Sequence, residues 1–171
     1  MDFKRLFWRP RVRAVLGGVC VATTVIGASF VAFGQDNGIA PKDVIRARKI
    51  VMSTIANSMY EIDGMLQTGK IDLPKARHHA DAISGLLVAF PHLFPPSTNT
   101  WTPNAPRDPV ADTFTDPSLW KEFTFFYKEA QRAAEYAYDA SRAENDAEFR
   151  KNATELRLAC DTCHATFQKN N

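Results

Sequence analysis

Apolar residues return at alternating steps of three and four along four separate stretches of this chain. Such steps keep side chains on one face of a helix, whereas a half-buried strand would need steps of two. The first stretch runs Ile45, Arg48, Met52, Ile55, Met59, Ile62, Leu66, and the second Leu73, Ala76, Ala80, Ile83, Leu87, Phe90. The third reads Trp120, Phe123, Tyr127, Ala130, Ala134, Ala137, Ser141, and the fourth Phe149, Ala153, Leu156, Cys160, Cys163, Phe167. Helix-start signals stand where they should. Pro41 with Asp43 opens a helix over about 41–67, Asp72 with Pro74 opens the second, and Asp116-Pro117 opens the third. The second is expected to stop at Phe90-Pro91, and Arg142–Asn145 makes a short turn into the fourth. Between residues 91 and 117 lie seven of the ten prolines, a crossover that Trp101 and Phe114 would pin to the helices. Four amphipathic helices, two short turns and one long crossover predict an all-α, antiparallel four-helix bundle.

The fourth stripe contains Cys160-Asp161-Thr162-Cys163-His164, the C-x-x-C-H spacing of c-type haem attachment. Two thiols at i and i+3 share a helix face, so both can reach the vinyl groups on one porphyrin edge. The histidine that follows is set to be the proximal iron ligand. A redox Cys-x-x-Cys would want a βαβ setting, and a zinc site would want a second ligand pair at finger-like spacing. The sequence has neither. The cofactor expected is haem c with its iron, held by Cys160, Cys163 and His164.

Residues 14–34 are uncharged and mostly apolar, behind Lys4, Arg5, Arg9, Arg11 and Arg13. Ala32-Phe33-Gly34 is a small-x-small site before polar Gln35. We read 1–34 as a signal peptide or an uncleaved N-terminal anchor, and 35–171 as the bundle domain. Basic residues ahead of the apolar run keep the N-terminus inside, so the remainder is exported, either soluble or anchored to the membrane through 14–34. Without residues 1–34 the chain carries 16 basic and 18 acidic residues, a net of −2, which gives no footing for nucleic acid. The third cysteine, Cys20, lies in the leader, so no pair remains for a structural disulfide.

Arg48 is a charge on a buried stripe. Either it snorkels to the bundle end or it pairs with a carboxylate from outside the chain, for which a haem propionate would serve. Met52 follows one turn further in and faces the same pocket. Met59 and Met65 read as core filler. His78 and His79 read as surface residues, and His92 as a weak spare ligand. The small residues of the third stripe leave room for a flat group or let helices approach closely.

These features together resemble the cytochrome c-prime family, the class II cytochromes c, over 41–169. The motif near the C-terminus, Arg48 four residues before Met52, Phe90-Pro91 with Phe94-Pro95, and Pro117-Ser118-Leu119-Trp120 carry the resemblance. It implies a periplasmic protein and homodimerisation through the first two helices. In the family's low-spin branch a Met above the iron ligates it; in the high-spin branch the site is open to small gases. Met52 points to the low-spin branch. The expectation is therefore an electron carrier with His164 and Met52 as axial ligands, serving periplasmic or membrane-bound redox partners. The alternative is a five-coordinate binder of nitric oxide or carbon monoxide with Met52 as a lid. An anchored bundle without cofactor is the third option. No catalytic constellation is visible, so no enzyme is expected. One departure stands out: the family often has Arg or Lys four residues after the ligating His, and here that position is Gln168.

Overall fold

Helix α1 spans Pro41–Thr68, starts on Pro41 and ends where Gly69 turns left-handed at φ 74°, a conformation that suits glycine. Helix α2 spans Leu73–Ala89, and the Asp72 carboxylate accepts the Lys75 amide at 3.2 Å. A computed structural model carries these elements and describes residues 38–106, 108 and 112–169. The leader, its cleavage site and Cys20 lie outside the described residues. Two 3-10 turns, Phe90–Leu93 and Pro96–Thr98, follow α2. A four-residue helix, α3 (Ser118–Lys121), precedes α4 (Phe123–Arg142). Helix α5 spans Asp146–Phe167, with the Asn145 side chain accepting the Glu148 amide at 3.0 Å. The order agrees with the four predicted helices, and so do the bounds of the first, second and fourth; the third, expected to run on from Asp116-Pro117, is broken at Glu122 into α3 and α4. Among the described residues no helix is long and apolar enough to cross a membrane.

Helix α2 packs against α1 and α4, and α4 packs against α5. The alanine seam explains the closeness of the α2–α4 contact. Ala134, Ala137 and Ala140 share one buried cluster with Ala76 and Ala80, and the Ser84 hydroxyl donates to the Ala134 carbonyl at 3.0 Å. Helices α1 and α5 share no such extended interface. They are tied at one end, where Arg150 donates to the Gly69 carbonyl at 2.7 Å and Arg157 pairs with Asp63. Toward the other end they leave a gap.

At the bulky end of α4 the seam differs from expectation. Trp120 is half-buried, Phe123 is 37 % exposed and Tyr127 is half-buried, while Leu119 and Phe126 take the core positions. The apolar residues stand side by side here, so the stripe could run along either row. Leu119 and Phe126 have no polar atom to satisfy. Trp120 keeps its indole N–H at the rim, donating to the Phe94 carbonyl at 3.1 Å.

The crossover is fastened as expected, and to the end of α5. The Asp116 amide donates to the Phe167 carbonyl at 2.8 Å, and the Lys169 amide to the Phe114 carbonyl at 2.7 Å. Lys169 also pairs with Asp116 and sits 5.5 Å from the Trp101 ring centre. His78 and His92 are exposed and His79 is half-buried. His92 meets Tyr127 edge-on at 5.9 Å and lines neither cavity described below.

Candidate haem site

The gap between α1 and α5 holds two adjoining cavities of about 280 and 290 Å³. Met52, Ala56, Phe90, Phe126, Cys163 and His164 line both, so the two are halves of one slot. The first half continues past Cys160 to Met59 and Ala133, the second past Arg48 to Thr113 and Phe167. Their position follows from the core, which falls into an aliphatic cluster and an aromatic one. Met52 packs against both, Cys160 against the first and Cys163 against the second. The slot is the seam between the two clusters.

The helical spacing predicted for the thiols holds. Cys160 and Cys163 are half-buried on the inner face of α5, and His164 is exposed beside them at the slot. Burial pushes the Cys160 thiol above its ordinary value, and pushes that of Cys163 up to about 11. Among the described residues no cluster of three His, Cys, Asp or Glu side chains could hold a metal ion by itself.

Arg48 is 4 % exposed, so it does not snorkel out to water. Its guanidinium donates to the Thr98 hydroxyl at 3.1 Å and the Thr113 hydroxyl at 3.2 Å, and lies 4.3 Å from the Phe94 ring centre. No carboxylate among the described residues pairs with it. Desolvation lowers its pKa to about 10. A cation with a depressed folded pKa costs stability below that pH, and the cost fades as pH rises through about 10. An anion in the slot would remove it at neutral pH.

A family model described as Cytochrome C' matches residues 43–168. The chain belongs to the cytochrome c' family. No curated protein sequence matches it. Its fold is that of cytochrome c' from Rubrivivax gelatinosus (22 % identity, TM-score 0.65, covering 76 % of this chain and 98 % of that one). It is likewise similar to cytochrome c' from Thermochromatium tepidum (18 %, TM-score 0.68, 77 % and 98 %). A nitric oxide complex of a cytochrome c prime variant from Alcaligenes xylosoxidans is a third match (15 %, TM-score 0.62, 76 % and 97 %).

The cofactor of a cytochrome c' is covalently attached haem c, and the slot of this cytochrome suits it. Two thiols share one wall, a buried cation without a carboxylate stands in the second half, and the rest of the lining is mostly apolar. The alanine seam has both roles that its small residues allow. Ala134, Ala137 and Ala140 bring helices together, while Ala130 and Ala133 leave space in the slot.

Three residues of this site escaped the sequence reading. Thr98 and Thr113 come from the crossover, 50 and 65 residues from Arg48, and nothing local marks them. Glu129 is 7 % exposed on α4 and lines the first half of the slot. A signal did exist for it: Arg48 is a charge on its stripe, and Glu129 is a charge directly beside an otherwise apolar and small one, next to Ala130.

Proposed function

We propose that this cytochrome c' binds a small neutral gas, such as nitric oxide or carbon monoxide, at the side of its haem that faces Met52. In this reading Cys160 and Cys163 form the thioethers and His164 is the axial ligand. Arg48 neutralises a propionate, and Met52 covers the opposite face without ligating. Bound haem supplies an iron that cycles between ferric and ferrous and accepts axial ligands. The observation that carries the reading is the space beside Met52. Ile55, Leu87, Phe90, Phe126, Ala130 and Ala133 form its apolar part, and Tyr60, Asp63, Glu129 and Arg157 also line that half of the slot. The apolar part beside Met52 accepts a neutral diatomic molecule more readily than water or an ion, which would lose hydrogen bonds there. The nitric oxide complex and a carbon-monoxide-bound variant among the similar folds lend it support.

The second reading is the His164/Met52 electron carrier. Its support is that Met52 lines both halves of the slot together with His164, one turn beyond Arg48. Spectra separate the two. With Met52 as a lid, the ferric protein at neutral pH is high-spin, the ferrous protein takes up carbon monoxide fully and fast, and Met52→Leu leaves the spin state unchanged. Leu keeps nearly the same volume but offers no lone pair. A low-spin ferric spectrum that turns high-spin in Met52→Leu would establish the electron carrier instead.

In both readings residues 35–171 form the cytochrome domain, exported to the periplasm behind a leader at 1–34. The leader is either removed or kept as an anchor through 14–34. Redox proteins of the periplasm or membrane are partners of the second reading. Self-association of two copies is a further part of the proposal, supported by a similar fold whose dimer dissociates under ligand control.

Arg48 gives a separate prediction. Arg48→Leu should lower the reduction potential of the haem-loaded protein, because an unneutralised propionate favours ferric iron. At an effective dielectric near 20 the effect is on the order of 1 kcal/mol after screening. Potentiometric titration checks it, and an unchanged potential with the fold intact would remove Arg48 from the propionate.

A further inference from the structure

The slot wall holds a charge with no part in the function proposed above. Glu129 is 7 % exposed and lines the same cavity as Cys163 and His164. Its ion-pair partner is Arg132, one turn further along α4 at 3.7 Å. The pair is lopsided: the Arg132 side chain is 59 % exposed and that of Glu129 only 8 %. Water screens the exposed cation, whereas the buried anion keeps its field inside the protein. Cys160, Cys163 and His164 line the same half of the slot as Glu129, so that field acts on the attachment wall. The other acid lining that half, Asp63, is paired with Arg157.

The slot therefore has a buried cation, Arg48, in one half and a buried anion, Glu129, in the other. Oxidised haem iron carries one more positive charge than reduced iron. A buried anion beside it favours the ferric state, and a buried cation the ferrous state. We propose that Glu129 is a positioning residue for charge, a buried carboxylate that holds the reduction potential of this cytochrome c' down and opposes Arg48. The proposal rests on the haem site described above, but not on whether Met52 ligates.

The test is potentiometric titration of the haem-loaded protein carrying Glu129→Gln, which keeps the side-chain shape and removes the charge. Its midpoint should move to more positive potential. Poised at the wild-type midpoint, the variant should then show a ferrous-to-ferric ratio raised severalfold. Glu129→Asp keeps the charge and should stay near wild type, a rescue that a purely structural role does not require of the potential. A midpoint that is unchanged or more negative in Glu129→Gln, with haem retained and helicity intact, overturns the proposal. Should that variant fail to fold, Glu129→Ala removes the same charge without leaving an amide to satisfy, and is read the same way. Wild-type protein without covalent haem on a denaturing gel would overturn the haem site itself, and that is seen before any potential is measured.

Discussion

Replacing Cys160 and Cys163 together by Ala is expected to abolish covalent haem. The wild-type protein, made with haem-attachment machinery, should keep its haem on a denaturing gel. Either single variant should keep one thioether, and the double variant none. Both sulfurs line the slot from one helix face, and among the described residues no other cysteine lines it. The effect extends to stability. Helices α1 and α5 share no extended interface there, and the halves of the slot measure about 280 and 290 Å³. A group bound to the folded state and filling that space stabilises it, and its loss leaves cavity walls without contacts. The double variant should therefore unfold more easily, by on the order of a few kcal/mol. Haem staining that persists in the double variant would refute the attachment site.

Phe149→Ala should give the other large effect, a loss of about 3–5 kcal/mol in unfolding free energy. Phe149 is 0 % exposed in the first turn of α5 and belongs to the aliphatic cluster shared by all four long helices. It lines neither half of the slot. Denaturant unfolding of the haem-loaded variant should therefore show the loss, while its absorption spectrum stays that of the wild type. A shifted spectrum would mean that the two ends of the bundle are mechanically linked.

The bundle was legible because periodicity is a local property. The stripes of α1, α2 and α5 lie where three-four spacing predicts, and Pro41, Asp72 and Asn145 open their helices by local chemistry. The attachment motif was legible for the same reason, since its five residues share one helical turn and a half. Arg48 announced itself as a charge among apolar neighbours. Periodicity alone could not choose between two adjacent apolar rows. At the start of the third predicted helix, Leu119 and Phe126 took the core, while Trp120 stayed at the rim where its indole N–H meets the Phe94 carbonyl, a choice made only in the packed structure.

What the sequence determined by itself is the four long helices, the inner faces of α1, α2 and α5, and the spacing that sets Cys160 and Cys163 on one face of α5 with His164 beside them. All of these rest on residues within a few positions of one another. The tertiary structure alone decided which helices meet and which stand apart. It put the slot between α1 and α5, brought Thr98 and Thr113 to Arg48, and buried Glu129 while leaving Arg132 in water. Those are relations across tens of residues. They depend on how alanine-lined helices close on each other and on where the crossover is fastened, and no local spacing encodes either.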